Sequence, residues 1–375
     1  MQNLEQRTRV QFYGPTRASQ RNLLGTRRQA TGLQAQRRTR RSSGYAQAVT
    51  TRKPTMLFKQ TFYTAIATAT LMTLTACGGG SDSTTSTSTT TTTGTSTSAT
   101  STAGVLCGYA TSAFNSSASV NTTATATWSC SSTLRSLTAN GLPDHAVGTF
   151  PNNDNPNTIA AQNISASVTV TPTATSVVTP RVGAMNKPGI ALNGIAFDPG
   201  TAGTCSDTGT CQQGGQAVGS WSLEALGQTF FKWGTDTNNA HEQPNGMYHY
   251  HGIPEGLVTK LSNGNKVMTL IGWAADGFPI YARYGYTAAT DASSAVKVVT
   301  SSYRTKTTPD VNRPATTTTY AMGTFTQDYE YVAGLGDLDE CNGRTGVTPE
   351  FPNGIYHYYA TDTFPHLQRC VKGKL

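Results

Sequence analysis

Residues 244–251 read Pro244-Asn245-Gly246-Met247-Tyr248-His249-Tyr250-His251. Residues 352–359 return to the pattern as Pro352-Asn353-Gly354-Ile355-Tyr356-His357-Tyr358-Tyr359. In both, an Asn-Gly pair supplies the positive-φ corner that a tight hairpin turn needs. A run that alternates Tyr and His follows, and a period of two belongs to a strand, not a helix. The repeat therefore predicts two related strands, facing each other across one site. The final histidine is present in the first copy and replaced by Tyr359 in the second, so a site shared by the two is asymmetric.

Working outward, strands are predicted at residues 164–170, 191–197, 229–232, 247–251, 267–273 and 280–284, each alternating or rich in β-branched and aromatic residues. Asn245-Gly246 and Asp276-Gly277 mark turns between them. Residues 222–226 offer a short helical turn. Gly and Thr are abundant and helix formers are few, so the fold class is mainly β. We expect a single disulfide-stabilised β domain, sandwich or barrel-like, over residues 140–375, with residues 105–139 as a small N-terminal part of the folded region.

The cysteines bear on compartment. Of seven, Cys77 stands apart, and the other six fall into local pairs. The expected bonds are Cys107–Cys130, Cys205–Cys211 and Cys341–Cys370. No CxxC occurs, so an oxidising compartment explains them better than a zinc ribbon does.

The formal net charge of +8 would suggest a nucleic-acid partner. Its location removes that suggestion. Residues 1–55 hold twelve Lys/Arg and one acid, Glu5, whereas the remaining chain has sixteen Lys/Arg and nineteen Asp/Glu. The rest of the chain is thus mildly acidic, and no nucleic acid is expected as a partner. The basic extension is too polar to bury a core and is expected to be disordered; Met56 offers an alternative start.

From Met56 the chain reads as an export signal over residues 56–76. Lys59 gives a positive start, and Thr61 to Thr75 form a weakly apolar stretch too short to span a bilayer. It ends in Leu74-Thr75-Ala76-Cys77, which resembles the bacterial lipoprotein box. That resemblance implies cleavage before Cys77 and acylation of its sulfur and amine. Several acyl chains anchor stably, at ~0.8 kcal/mol per buried CH₂. Residue 78 is glycine, not aspartate, so an outer-membrane address is expected. Residues 77–104 are a Thr/Ser tether with a reach of roughly 25–30 Å. The membrane, through this lipid, is the expected partner, and a substrate or protein partner is left open.

The chemistry rests on the histidines. His249 and His251 share a strand face, their Cα atoms ~6.6 Å apart. Two imidazoles so placed can converge on one metal, and His357 of the repeat is the natural third ligand. His145, His241, Glu242 and Asp276 are further candidates. Three histidines plus water suit zinc or copper. Beside this stands a plainer view, in which each histidine packs and bonds a backbone carbonyl, the tyrosines form core walls and Asp276 serves its turn. A metal-free surface module that binds a polymer or protein partner through its aromatic strands is the alternative function. Whether the protein is an enzyme is left open.

Several signatures fail. His241-Glu242 is no HExxH, because Pro244 breaks the helix and position 245 is not histidine. No GxSxG elbow or phosphate loop occurs. Asp337 and Asp339 match the first two ligands of an EF-hand, but Cys341 takes the fifth position and Asn342 is out of register, leaving only a looser calcium site on Asp337, Asp339 and Asn342. A cupin-like barrel lacks two motif positions.

The stretch NGMYHYHGIPEGL resembles the bacterial YHYH family, named for that tetrapeptide. The likeness continues in NGLPDHAVGTFPN at 140–152, GWAADGFPIYARYGY at 272–286 and DLDECNGRTGVTPEFPNGIYHYYATD at 337–362. It covers residues 140–372 roughly. The resemblance implies an exported, often lipid-anchored protein. It implies no activity.

Overall fold

The computed structural model describes residues 100–182, 186–214, 216–315 and 319–375. The basic extension, the export signal, Cys77 and nearly all of the tether lie outside the described residues. Among the described residues no helix is long and apolar enough to cross a membrane.

The described chain is mainly β, as its composition predicts. Strands β1 (Ala110–Asn115), β2 (Thr122–Cys130), β3 (Leu134–Ala139) and β4 (Ile164–Thr169) form one antiparallel sheet in sequence order. Its inner face alternates as a half-buried sheet should: Ala124, Ala126 and Trp128 on β2, and Leu137 and Ala139 on β3, are buried. Next come β5 (Ala174–Pro180), then β6 (Gly189–Ala191) and β7 (Ala196–Phe197), which form a hairpin around Asn193-Gly194. Strands β8 (Gly203–Cys205), β9 (Cys211–Gln213) and β10 (Trp221–Ser222) make a small sheet of order β10-β8-β9. It packs Trp221 and Leu223 against Phe325 in a satellite cluster.

A second hairpin follows, β11 (Ala240–Glu242) with β12 (Tyr248–Tyr250), turning at Asn245-Gly246. The helix α1 (Glu255–Ser262) leads to β13 (Thr269–Ala274) and β14 (Pro279–Ala282). Two short pairs come next, β15 (Tyr284–Tyr286) with β16 (Val296–Val298) and β17 (Tyr303–Thr305) with β18 (Tyr329–Tyr331). The chain ends with β19 (Gly343–Gly346), β20 (Ile355–Ala360) and β21 (Cys370–Gly373), the last paired with β5.

The centre of the molecule is an open eight-stranded sheet of order β11-β12-β7-β6-β13-β14-β20-β19. Its middle is tight. A Cβ on Gly272 would lie 2.4 Å from the Ile190 carbonyl oxygen and 2.8 Å from the Phe197 ring. The N-terminal sheet docks on it through named contacts. The Trp128 indole donates to the Leu192 carbonyl at 2.8 Å, and the buried Arg135 guanidinium lies 3.6 Å over the Trp273 ring. One apolar cluster runs from Trp128 and Leu137 through Ile271 and Trp273 to Tyr358 and Tyr359. The three disulfides join Cys107 to Cys130, Cys205 to Cys211 and Cys341 to Cys370.

Helix placement differs from the sequence expectation. Residues 222–226 form no helix, and the one α-helix described is α1, in Glu255-Gly-Leu-Val-Thr-Lys-Leu-Ser262. Leu257 and Val258 bury one face, Glu255 favours the N-terminal dipole, and Asn263 ends the helix in a left-handed conformation. The Pro and Gly around this run hide a helix of barely two turns. No strand forms at 229–232, where the chain passes beside the satellite sheet.

Candidate metal centre

His241 sits in the middle of β11 and pairs in register with His249 of β12, so both point to one face of the sheet. His251 lies two residues beyond His249 and shares that face. The three imidazoles close on one another. His251 Nε2 is 3.1 Å from His249 Nε2 and 3.1 Å from His241 Nε2. All three rings are at most 8% exposed.

The other ring nitrogens explain the orientation. His249 Nδ1 donates to the Met247 carbonyl at 3.2 Å, and His241 Nδ1 donates to the Trp233 carbonyl at 2.5 Å. His251 Nδ1 faces the Asp198 backbone without a well-formed hydrogen bond. With protons on Nδ1, the Nε2 lone pairs aim at each other. Burial holds His241, His249 and His251 below the ordinary imidazole pKa, the last two well below it, and the neighbouring imidazoles push those two further. Three neutral imidazoles with converging lone pairs are a ligand set. A metal at ~2.0–2.1 Å from two tetrahedral nitrogens sets them roughly 3.4 Å apart, close to the spacing found. Among the described residues, His241, His249 and His251 form the one group of three or more His, Cys, Asp or Glu that could hold a metal.

The cluster lines a cleft of about 510 Å³. One wall carries Phe231 and Trp233, and others carry Asn155, Gln213, Gln243 and Asp198. The Asp198 Oδ2 is 4.0 Å from His249 Nε2 and is paired with the Lys187 ammonium. Glu242 also lines the cleft. It is 2% exposed, neither carboxylate oxygen has a hydrogen-bond partner, and burial raises its pKa to about 7.

The structure brings His249 and His251 together as the spacing predicts, and it adds His241. It does not bring His357. Five strand-to-strand steps separate β12 from β20 in the sheet order, about 24 Å at ~4.8 Å each. The two repeated strands lie in opposite halves of one sheet and do not face each other. His357 Nδ1 donates to the Ile355 carbonyl at 2.9 Å, and its Nε2 is 3.1 Å from the Tyr359 hydroxyl. His145 is likewise a packing residue here. Its Nε2 is 2.6 Å from the Tyr250 hydroxyl and its Nδ1 is 2.9 Å from the Ala146 carbonyl. Asp276 serves its turn. It accepts from the Tyr358 hydroxyl at 2.6 Å and from the Gly373 amide at 2.8 Å.

The looser calcium site dissolves too. Asp337 binds Lys297 and Thr300, Asp339 accepts from Tyr356 and the Gly343 amide, and Asn342 donates to the Tyr359 carbonyl. Of the repeat's aromatics, Tyr248, Tyr250, Tyr358 and Tyr359 are each at most 1% exposed, while Tyr356 is half-buried and lines a cleft with Asp339 and Lys372. Asp198 and Lys187 went unmarked in the sequence, since neither stands at ligand spacing from a histidine. The one available signal was the likeness of GIALNGIAFD at 189–198 to GWAADGFPIY at 272–281.

A family model described as YHYH protein matches residues 165–373. No curated protein and no solved structure matches the chain.

Proposed function

The chain belongs to the YHYH protein family, and on that footing we propose that it is an exported, lipid-anchored envelope protein whose β domain holds one transition-metal ion on His241, His249 and His251. One observation carries the metal reading. Three buried imidazoles direct their Nε2 atoms at a common point, with successive spacings of 3.1 Å, while the Nδ1 atoms of two of them are committed to carbonyls. Moving a proton to His241 or His249 Nε2 would forfeit one of those carbonyl bonds. A cation satisfies the lone pairs at once. Imidazole ligands beside an open cleft suit zinc or copper.

The test is elemental analysis of the purified chain. About one equivalent of zinc or copper is expected, lost in a His249→Ala/His251→Ala double variant that keeps its β circular dichroism. Metal-free protein whose stability ignores both EDTA and added zinc refutes the centre.

The address is supported by the lipoprotein-like Leu74-Thr75-Ala76-Cys77 and by the pairing of all six other cysteines. A Cys77→Ala variant is expected to leave the membrane fraction for the soluble one. Unchanged fractionation would overturn the anchor.

A further inference from the structure

The order of the central sheet is a palindrome of two like halves. Each half contains two hairpins, β6-β7 with β11-β12, and β13-β14 with β19-β20. In each, one strand of the second hairpin lies parallel to one strand of the first, β12 on β7 and β20 on β14. The halves meet at β6 and β13, where Ile190 opposes Trp273, Gly189 opposes Ala274 and Ala191 opposes Gly272. That pairing is what a two-fold axis perpendicular to the sheet, midway between Ile190 and Trp273, produces. The registers then map one half on the other. Tyr250 lies beside Phe197 as Tyr358 lies beside Ile280, and His249 opposes His241 as His357 opposes Arg344. The central sheet is internally pseudo-symmetric, so each half serves as a comparison for the other.

Positions that build the fold agree between the halves. The two Pro-Asn-Gly turns match, Tyr248 and Tyr250 match Tyr356 and Tyr358, and Gly194 and Gly277 both turn with positive φ. The disagreement falls on the face of the histidine cluster. His241 becomes Arg344, His251 becomes Tyr359, and Asp198 becomes Tyr281, while His249 persists as His357. In the second half the Arg344 guanidinium donates to the Tyr359 hydroxyl at 3.2 Å, and the Tyr281 hydroxyl donates to Glu350 and is hydrogen-bonded to the Thr348 hydroxyl. A fixed organic cation, Arg344, stands where the first half has His241, and tyrosines stand where it has His251 and Asp198. Asp198 therefore departs in company with two metal-ligand candidates.

Its geometry agrees. Ala196 is in register with His249, and Asp198 lies two residues on, so it shares the face of His249 and His251. Its side chain is 6% exposed, and its Oδ2 is 4.0 Å from His249 Nε2. Lys187 pairs with that same oxygen.

We infer that Asp198 is the fourth protein ligand of the centre, and that Lys187 is its counter-ion until a metal takes the carboxylate. This rests on the three-histidine reading. An ammonium and a divalent cation compete for one oxygen, so the two partners of a single ion pair have opposite effects on metal binding. A purely structural ion pair has no such sign difference. The carboxylate also hardens the donor set and favours a divalent ion such as Zn²⁺ over Cu⁺.

The experiment is Co²⁺ titration of the EDTA-stripped full chain, read by calorimetry and by the visible spectrum of bound cobalt. Asp198→Asn is expected to weaken binding at least about 100-fold and to change the cobalt bands. Lys187→Met is expected to tighten binding roughly three- to tenfold. An Asp198→Asn variant with wild-type affinity and bands overturns the assignment. So does a Lys187→Met variant that binds more weakly, and this second arm decides the matter if Asp198→Asn does not fold. A wild-type chain that takes no Co²⁺ overturns the histidine centre itself, and this assignment with it.

Discussion

Acid separates His357 from the histidine cluster. The His357 ring is fully buried, and burial lowers its pKa from 6.5 to about 3, with Arg344 pushing the same way. The fold thus prefers the neutral imidazole. Stability from this preference is complete above the unfolded value of 6.5 and is lost as pH falls from there toward 3. The full difference is worth about 5 kcal/mol at roughly 1.4 kcal/mol per pKa unit. At about pH 4.5, two units below the unfolded value, about 3 kcal/mol of it is gone. Glutamine has no proton to gain, so His357→Gln lacks this slope at the cost of a constant offset. Every other histidine is common to both chains and cancels in the difference. The assay is urea unfolding of wild type and variant in EDTA at pH 7 and about pH 4.5. The stability advantage of wild type over variant should shrink by about 3 kcal/mol on acidification. Equal differences at the two pH values refute the claim that the fold holds His357 neutral. Because His357 lies across the sheet from the cluster, added zinc should stabilise both proteins alike.

Gly272→Ala should cost about 1–3 kcal/mol or more, since its Cβ would meet the Ile190 carbonyl, the Phe197 ring and the Ala191 Cα where the two halves join; a thermal melt within error of wild type counts against the close approach. Opening the Cys341–Cys370 bond by a double alanine variant should cost about 3.6 kcal/mol for a separation of 29 residues. An unfolding midpoint insensitive to that change would show that the loop closure does not restrain the unfolded chain.

Much of the fold was legible because its signals are local. Asn245-Gly246 and Asp276-Gly277 announced their turns, alternation announced β4 and β12, and the cysteine spacing announced three bonds that the structure contains. The site was half legible. His249 and His251 belong to one strand, and a period of two suffices to join them. His241 is brought in by a hairpin register, and Asp198 by a parallel neighbour 51 positions before His249. Register across strands is written in no local pattern. The repeat itself misled in one respect. Two copies of a motif were expected to face each other, but a two-fold axis perpendicular to the sheet between β6 and β13 sends them to opposite halves.

The strands that carry the clustered histidines and Asp198 are themselves held in the apolar cluster, through Phe197, Ala240, Tyr248 and Tyr250. The domain's covalent ties, Cys107–Cys130, Cys205–Cys211 and Cys341–Cys370, lie outside the centre. On the proposed export, the metal would be taken up at the destination, by strands whose opposite residues already belong to the core.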